Sequence, residues 1–170
     1  MRSFFSPVIG ILFLILTASA VAGGSAANGK GSAAASKHLV TYTTQQDFEF
    51  VKSAVNEAII GKGLVINNTS HIGAMLERTG SAVEAGAKKI FLKAESYEFC
   101  SATVSRLTME ADPHNIVFCP YIISVYVLPN EPNKTYLSFR KPDPVGNKAS
   151  KAALKEVEKL LRSIIEEAIQ

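Results

Sequence analysis

The sequence predicts one α+β domain built in two layers, with a mixed or antiparallel sheet and helices mainly on one of its faces. Strand-like and helix-like apolar patterns alternate along residues 38–170 in the order β-α-β-α-β-α-β-β-α. Two of these strands follow each other through a turn, and such a hairpin points to antiparallel pairing. The roughly 130 residues concerned suit a single hydrophobic core and are too few for two.

The N-terminus has the features of a cleaved signal peptide over residues 1–22. Arg2 supplies a positive charge, residues 8–16 form an unbroken apolar run, and residues 18–22 contain two A-x-A cleavage sequences. The apolar run is shorter than the roughly 20 residues that span a bilayer. We therefore expect a periplasmic or secreted protein that has no membrane contact after cleavage.

Residues 23–37, GGSAANGKGSAAASK, are predicted to be a flexible leader that precedes the domain. Their small and polar side chains offer too little apolar surface to offset the entropy of ordering. The formal net charge of the whole chain is +3, and it contains no run of five basic residues. We therefore expect no nucleic acid partner.

The first half of the domain alternates between two strands and two helices. Residues 38–42 predict a short strand, and the stretch from Thr44 to Asp47 has the form of a capping box at a helix start. Residues 64–67 predict the next strand, and residues 69–79 predict a shorter helix. The first helix has an apolar stripe at helical spacing, formed by Phe48, Val51, Val55, Ala58 and Ile59.

The second half predicts a strand at residues 89–99 and then a helix that Ser101 caps and that ends at Asp112. Residues 116–128 predict a strand broken by Pro120, because proline cannot donate to a strand ladder. Residues 134–140 complete a β-hairpin. A long final helix starts at Asn147 or Ser150, and its apolar stripe indicates packing on the sheet: Leu154, Val157, Leu161, Ile164 and Ala168.

The two cysteines, Cys100 and Cys119, are the main candidate site. The helix between them climbs about 16 Å, and a strand returns by about 3.3 Å per residue, so Cys119 can regain the level of Cys100. In an exported protein, this proximity favours a disulfide. Two reduced thiols are one alternative. A functional thiol at Cys100 is another, because a predicted helix N-terminus favours the thiolate.

Four other side chains are weaker candidates for ligand binding: Asp112, His114, Tyr121 and Arg140. Cys100, His114 and Cys119 also form a conceivable metal set. Their C-x13-H-x4-C spacing lacks the close cysteine pair of zinc sites, so we expect no metal. The sequence requires no cofactor, and it contains no G-x-S-x-G, P-loop or H-E-x-x-H motif that would identify a reaction.

Six short motifs are spread over residues 37–140: Asp47-Phe48, Gly63-Leu64, Cys100, Ala111-Asp112-Pro113, Cys119-Pro120 and Val125-Tyr126. Together they resemble the domain of unknown function 302 family, and the phrases FCSA, EADP and FCPY resemble an exported subgroup of it. The resemblance implies a small α+β domain that often forms dimers and has no established activity. Family members often carry a cysteine after the proline that matches Pro120, whereas Cys119 precedes that proline here.

These observations favour an exported, non-enzymatic domain that binds a small ligand or assembles with itself. We expect a homodimer because residues 134–140 resemble an exposed strand edge and the last helix has a wide apolar stripe, and because the resemblance implies dimers. Partners could also be a small molecule or a periplasmic protein. The alternative is a thiol-based redox enzyme, or an accessory protein of a periplasmic redox or sulfur system, that uses Cys100.

Overall fold

A computed structural model describes residues 31–83 and 88–170 of the chain. The signal peptide predicted at residues 1–22 and most of the predicted leader lie outside these residues. The described parts contain six strands and four α-helices: β1 (Ser32–Ala35), β2 (Leu39–Thr44), α1 (Phe48–Gly61), β3 (Val65–Ser70), α2 (Ile72–Thr79), β4 (Lys93–Cys100), α3 (Ala102–Ala111), β5 (Tyr121–Val127), β6 (Thr135–Arg140) and α4 (Lys148–Ala168). Two short 3₁₀ helices, Gly80–Ala82 and Pro113–Phe118, follow α2 and α3.

The strands form one antiparallel sheet in the order β1-β2-β6-β5-β4-β3. This confirms the predicted α+β class and makes the sheet antiparallel rather than mixed. The β5–β6 hairpin lies at the centre of the sheet. The expectation that residues 134–140 form an exposed edge is therefore wrong, because β2 pairs along the whole of β6 on its other side.

The hydrophobic core lies between one face of the sheet and the helices α1 and α4. Along β5, Tyr121, Ile123 and Val125 are buried, while the residues between them point to the opposite face, which we call the outer face. All five residues of the predicted α1 stripe and all five of the predicted α4 stripe are buried. Burial of these stripes against the same strands holds the two helices on the core face.

The structure differs from the sequence prediction for residues 32–35, which were assigned to the flexible leader. They form β1, which pairs with β2 from Ser32↔Thr43 to Ala35↔Val40. All four side chains are exposed, so backbone hydrogen bonds hold this strand on the sheet. A prediction that relies on apolar side chains does not detect such a strand.

Two local predictions are also corrected. The cap of α1 is Asp47, whose carboxylate accepts the N–H groups of Glu49 and Phe50, whereas Thr44 ends β2. The strand predicted from residue 116 starts only at Tyr121, because the preceding residues form the Pro113–Phe118 3₁₀ helix. Pro120 therefore lies just before a strand, where proline costs no ladder hydrogen bond.

Across residues 31–83 and 88–170, no helix combines the length and the apolar character that crossing a bilayer requires.

Candidate functional site

The two central strands pair over only part of their length. Their ladder runs from Ser124↔Ser138 to Val127↔Thr135, next to the hairpin turn. Beyond it, the first residues of β5 stay paired with β4, up to Phe99↔Tyr121, and the last residues of β6 stay paired with β2, up to Leu39↔Arg140. The sheet is therefore split between residues 121–123 and residues 139–140, and we call this opening the central cleft.

The central cleft contains a cavity of about 530 Å³. Residues from both faces of the sheet line it, as is expected where two strands separate. Val157 and Leu161 of α4 lie on the core side, whereas Leu39 and Ile122 come from the outer face. The volume is within the range of small-molecule sites, which are concave and mostly apolar. The other lining residues are Val117, Phe118, Cys119, Pro120, Tyr121, Ser124, Ser138, Phe139, Arg140 and Pro142.

Hydroxyl groups mark the outer side of the cleft where the ladder ends. The Ser138 hydroxyl lies 3.0 Å from the Thr41 hydroxyl and 3.1 Å from that of Tyr126. The Ser124 hydroxyl lies 2.7 Å from that of Ser96 on β4. These hydrogen bonds tie four strands together and place polar groups beside a cavity whose walls are mainly apolar.

Among the described residues, Arg140 is the only charged one that lines the cleft. It is the last residue of β6, and its side chain is exposed. Within the part of the chain that the structure describes, Arg140 forms no ion pair. Arg140 therefore places a positive charge at this end of the cleft that no described carboxylate pairs with.

The two cysteines meet at the wall of the cleft. Cys100 ends β4, Cys119 follows the Pro113–Phe118 helix, and both are free, half-buried thiols whose Sγ atoms lie 3.1 Å apart. A disulfide would bring these atoms to about 2.05 Å. The Ser105 hydroxyl lies 3.4 Å from the Cys119 Sγ and donates to the Tyr121 hydroxyl at 3.2 Å. Cys119 lines the cavity, and Cys100 lies behind it.

Burial raises the pKa of the Cys100 thiol to about 11, and the hydrogen bond and charge of Cys119 act in the same direction. The side chain of Asn67 and the backbone of Tyr121 lower that pKa by smaller amounts. The net direction is opposite to the one expected from a helix N-terminus. Burial also raises the pKa of Tyr121, so both groups stay protonated at neutral pH.

The structure brings together some of the predicted site residues and separates others. Cys119, Tyr121 and Arg140 line the central cleft. Asp112 and His114 do not, because they lie at the turn after α3, where the Asp112 carboxylate accepts the backbone N–H of His114. Among the described residues, no three His, Cys, Asp or Glu side chains form a group that could hold a metal ion.

Several lining residues were not predicted from the sequence, above all Ser124, Ser138 and the two α4 residues Val157 and Leu161. The α4 pair belongs to an ordinary core stripe, so its sequence pattern carries no sign of a cavity. The two serines offered a weak signal: Ser124 interrupts a strand that is otherwise apolar and aromatic, and Ser138 stands between Leu137 and Phe139. The split itself depends on pairing between distant strands and has no local signature.

Comparisons with known proteins support the architecture. The crystal structure of an uncharacterized conserved DUF302 protein from Bacillus stearothermophilus is similar to this chain, with a TM-score of 0.63 at 16% sequence identity. The similarity covers 76% of this chain and 97% of that one, and at this identity it supports the fold alone. No curated protein matches the sequence. A model of the family described as domain of unknown function DUF302 matches residues 40–168, and the chain therefore belongs to the DUF302 family.

Proposed function

We propose that this protein is an exported domain that binds a small ligand in the central cleft without transforming it. The observation that carries this proposal is the split of the sheet, which opens a cavity of about 530 Å³ between β5 and β6. Its walls are mainly apolar, and a few polar groups converge on one side, as in many small-molecule sites. The described residues that line it include no Asp, Glu or His, and they supply apolar and hydroxyl contacts for binding.

Amide NMR of the ¹⁵N-labelled full chain with a set of small apolar fragments tests this function. We expect fragment-induced shifts to cluster at residues 121–124 and 138–140. Ile122→Trp should abolish them, because a large ring at this half-exposed position fills the mouth of the cleft. Ile60→Trp is the matched control, since Ile60 is exposed on α1 and does not line the cleft. Shifts that survive Ile122→Trp, or that map elsewhere, would contradict the proposal.

Periplasmic or secreted localisation is part of the same proposal and is supported by the signal-peptide features of residues 1–22. We expect protein isolated from its native host to begin near Val21 or Gly23. Intact-mass analysis of that protein measures the start directly. A mass that still includes residues 1–20 would rule out a cleaved signal peptide.

The second candidate function is thiol–disulfide exchange, which the 3.1 Å distance between the two Sγ atoms favours. Cys119 would attack an external disulfide to give a mixed disulfide and release one thiol. Cys100 would then attack the Cys119 sulfur, release the second thiol and close an internal disulfide. Two protein thiols are oxidised, and the external disulfide is reduced to two thiols. Such chemistry would suit a redox enzyme or an accessory protein of a redox or sulfur system.

Incubation with oxidised glutathione tests the second candidate. We expect the protein to lose two hydrogen atoms in mass and to have no blockable thiol after denaturation. The Cys100→Ser variant should stop at a glutathione adduct on Cys119, because the second attack is removed. Two thiols that stay blockable after incubation would eliminate this function.

A further inference from the structure

Building on the proposed binding function, we infer that the ligand of the central cleft is an amphipathic carboxylate, with its anionic group at Arg140 and its apolar chain between β5 and β6. The charged side chain of Arg140 lies at the edge of the apolar cavity in the central cleft. The polar and apolar parts of the ligand are therefore both specified by the described lining residues.

The charge of Arg140 is available to a ligand. Two cations near the end of β6 are already paired: Lys141 Nζ lies 3.7 Å and Arg162 Nη2 lies 2.7 Å from the Glu158 carboxylate. Arg140 forms no such pair with any described residue, and none of the described residues that line the cavity carries a carboxylate. A planar guanidinium binds a carboxylate through two parallel hydrogen bonds.

Ser138 supports the same orientation. It lies two residues before Arg140 on β6, so both side chains point to the outer face of the sheet. Its hydroxyl is held by those of Thr41 and Tyr126 at the point where the strands separate. The polar group of the ligand therefore meets an arginine and a fixed hydroxyl on one side of the cleft.

The apolar part of the ligand is specified by the rest of the cavity. Phe139, Val157 and Leu161 form its inner wall. At the mouth, Leu39, Ile122 and Val117 are 47%, 42% and 76% exposed. Exposed apolar surface is unfavourable in water, and a bound apolar chain would cover it. The single positive charge balances one carboxylate, whereas a phosphate monoester carries about −1.5 to −2 and would leave an unpaired negative charge.

Calorimetric titration of the full chain with decanoate tests the inference. Decanol has the same chain without the charge, and acetate has the charge without the chain. We expect decanoate to bind more tightly than both. Arg140→Gln should weaken decanoate binding by about tenfold and leave decanol binding unchanged, because only the carboxylate uses the guanidinium. Arg78→Gln, at an exposed position on α2, is the matched control and should change neither.

The outcomes separate this inference from the proposed function. If decanol and decanoate bind equally and Arg140→Gln has no effect, the cleft still binds a ligand, but the inference that this ligand is a carboxylate is overturned. Acetate binding as tightly as decanoate would overturn the need for an apolar chain. If decanoate binds only to the monomer obtained by dilution, a second copy of the chain covers the mouth of the cleft in the dimer. This result would overturn the inference. No binding of any probe, together with no fragment shifts at residues 121–124, would overturn both.

Discussion

Burial, and not the neighbouring helix, sets the acidity of Cys100. The residue precedes Ser101, the cap of α3, so helix geometry alone would favour its thiolate. The thiol is instead desolvated against Cys119, and a negative charge on either sulfur would disfavour one on the other. Cys119 lies at the cavity wall, so it is the thiol that an external reagent reaches first.

We predict that Cys100 is alkylated slowly at neutral pH even when Cys119, the thiol between it and the cavity, is replaced. In the reduced Cys119→Ser variant, burial remains the largest cause of the raised pKa. The midpoint of the pH–rate profile should therefore stay above the value of about 8.5 for a free thiol. Iodoacetamide rates on native and unfolded protein measure the difference. A midpoint in the native state at or below that of the unfolded chain would show that the helix N-terminus prevails.

The raised pKa of Cys100 also makes the free energy of unfolding depend on pH. The folded state favours the protonated form of Cys100, so this contribution to stability is fully present below the pKa of the unfolded thiol. It is lost as the pH rises from there through about 11, the folded value. Above that range, the thiolate forms in both states, and the preference no longer stabilises the fold.

The connection between α3 and β5 shows how one buried polar residue can override an apolar sequence pattern. Ile116 and Val117 suggest a strand, yet they are 60% and 76% exposed. Asn115 is buried instead, and its side-chain amide donates to the Thr108 carbonyl and to the Ser150 hydroxyl, both at 2.9 Å. These bonds join the 3₁₀ helix to α3 and α4 and so position Cys119 and the start of β5.

We predict that Asn115→Ala lowers the free energy of unfolding by about 1–3 kcal/mol, because it leaves the buried hydroxyl of Ser150 and the Thr108 carbonyl without this partner. Urea unfolding of the reduced protein measures the change. Asn133→Ala, in the exposed hairpin turn, is the control and should stay within about 0.5 kcal/mol of the parent. A loss for Asn115→Ala as small as that of the control would contradict the structural role.

Local patterns predicted most of the elements of this molecule but not its cleft. The apolar stripes of α1 and α4 repeat at helical spacing, and the Ser101 and Asn147 caps stand at the observed helix starts. The order of strands in the sheet, the added strand β1 and the split between β5 and β6 depend on pairing between distant segments. Cys119, Tyr121 and Arg140 were found because their chemistry is distinctive, whereas the apolar walls were not.

The sheet as a whole ends in two strands, β1 and β3, which each pair on one side only within the described residues. A bulge between Ile66 and Asn68 interrupts β3, and such irregularities discourage pairing. β1 is short, fully exposed and uncharged, with the sequence SAAA. Two of the three grounds on which the sequence predicted a homodimer do not hold, because β6 is central in the sheet and the α4 stripe is buried. The exposed edge of β1 replaces them as the candidate interface.

We therefore propose that the protein forms a homodimer through β1, and we expect a dimer in sedimentation velocity at micromolar concentration. Ala33→Lys combined with Ala34→Lys should shift it to monomer, because charged side chains on an open strand edge oppose pairing with a second copy. Ala149→Lys combined with Ala152→Lys adds the same charge at exposed positions of α4 and should leave the dimer intact. A parent protein that sediments only as a monomer would refute the dimer. A dimer that persists in the β1 variant would move its interface away from this edge, leaving the apolar mouth of the central cleft as the next surface to test.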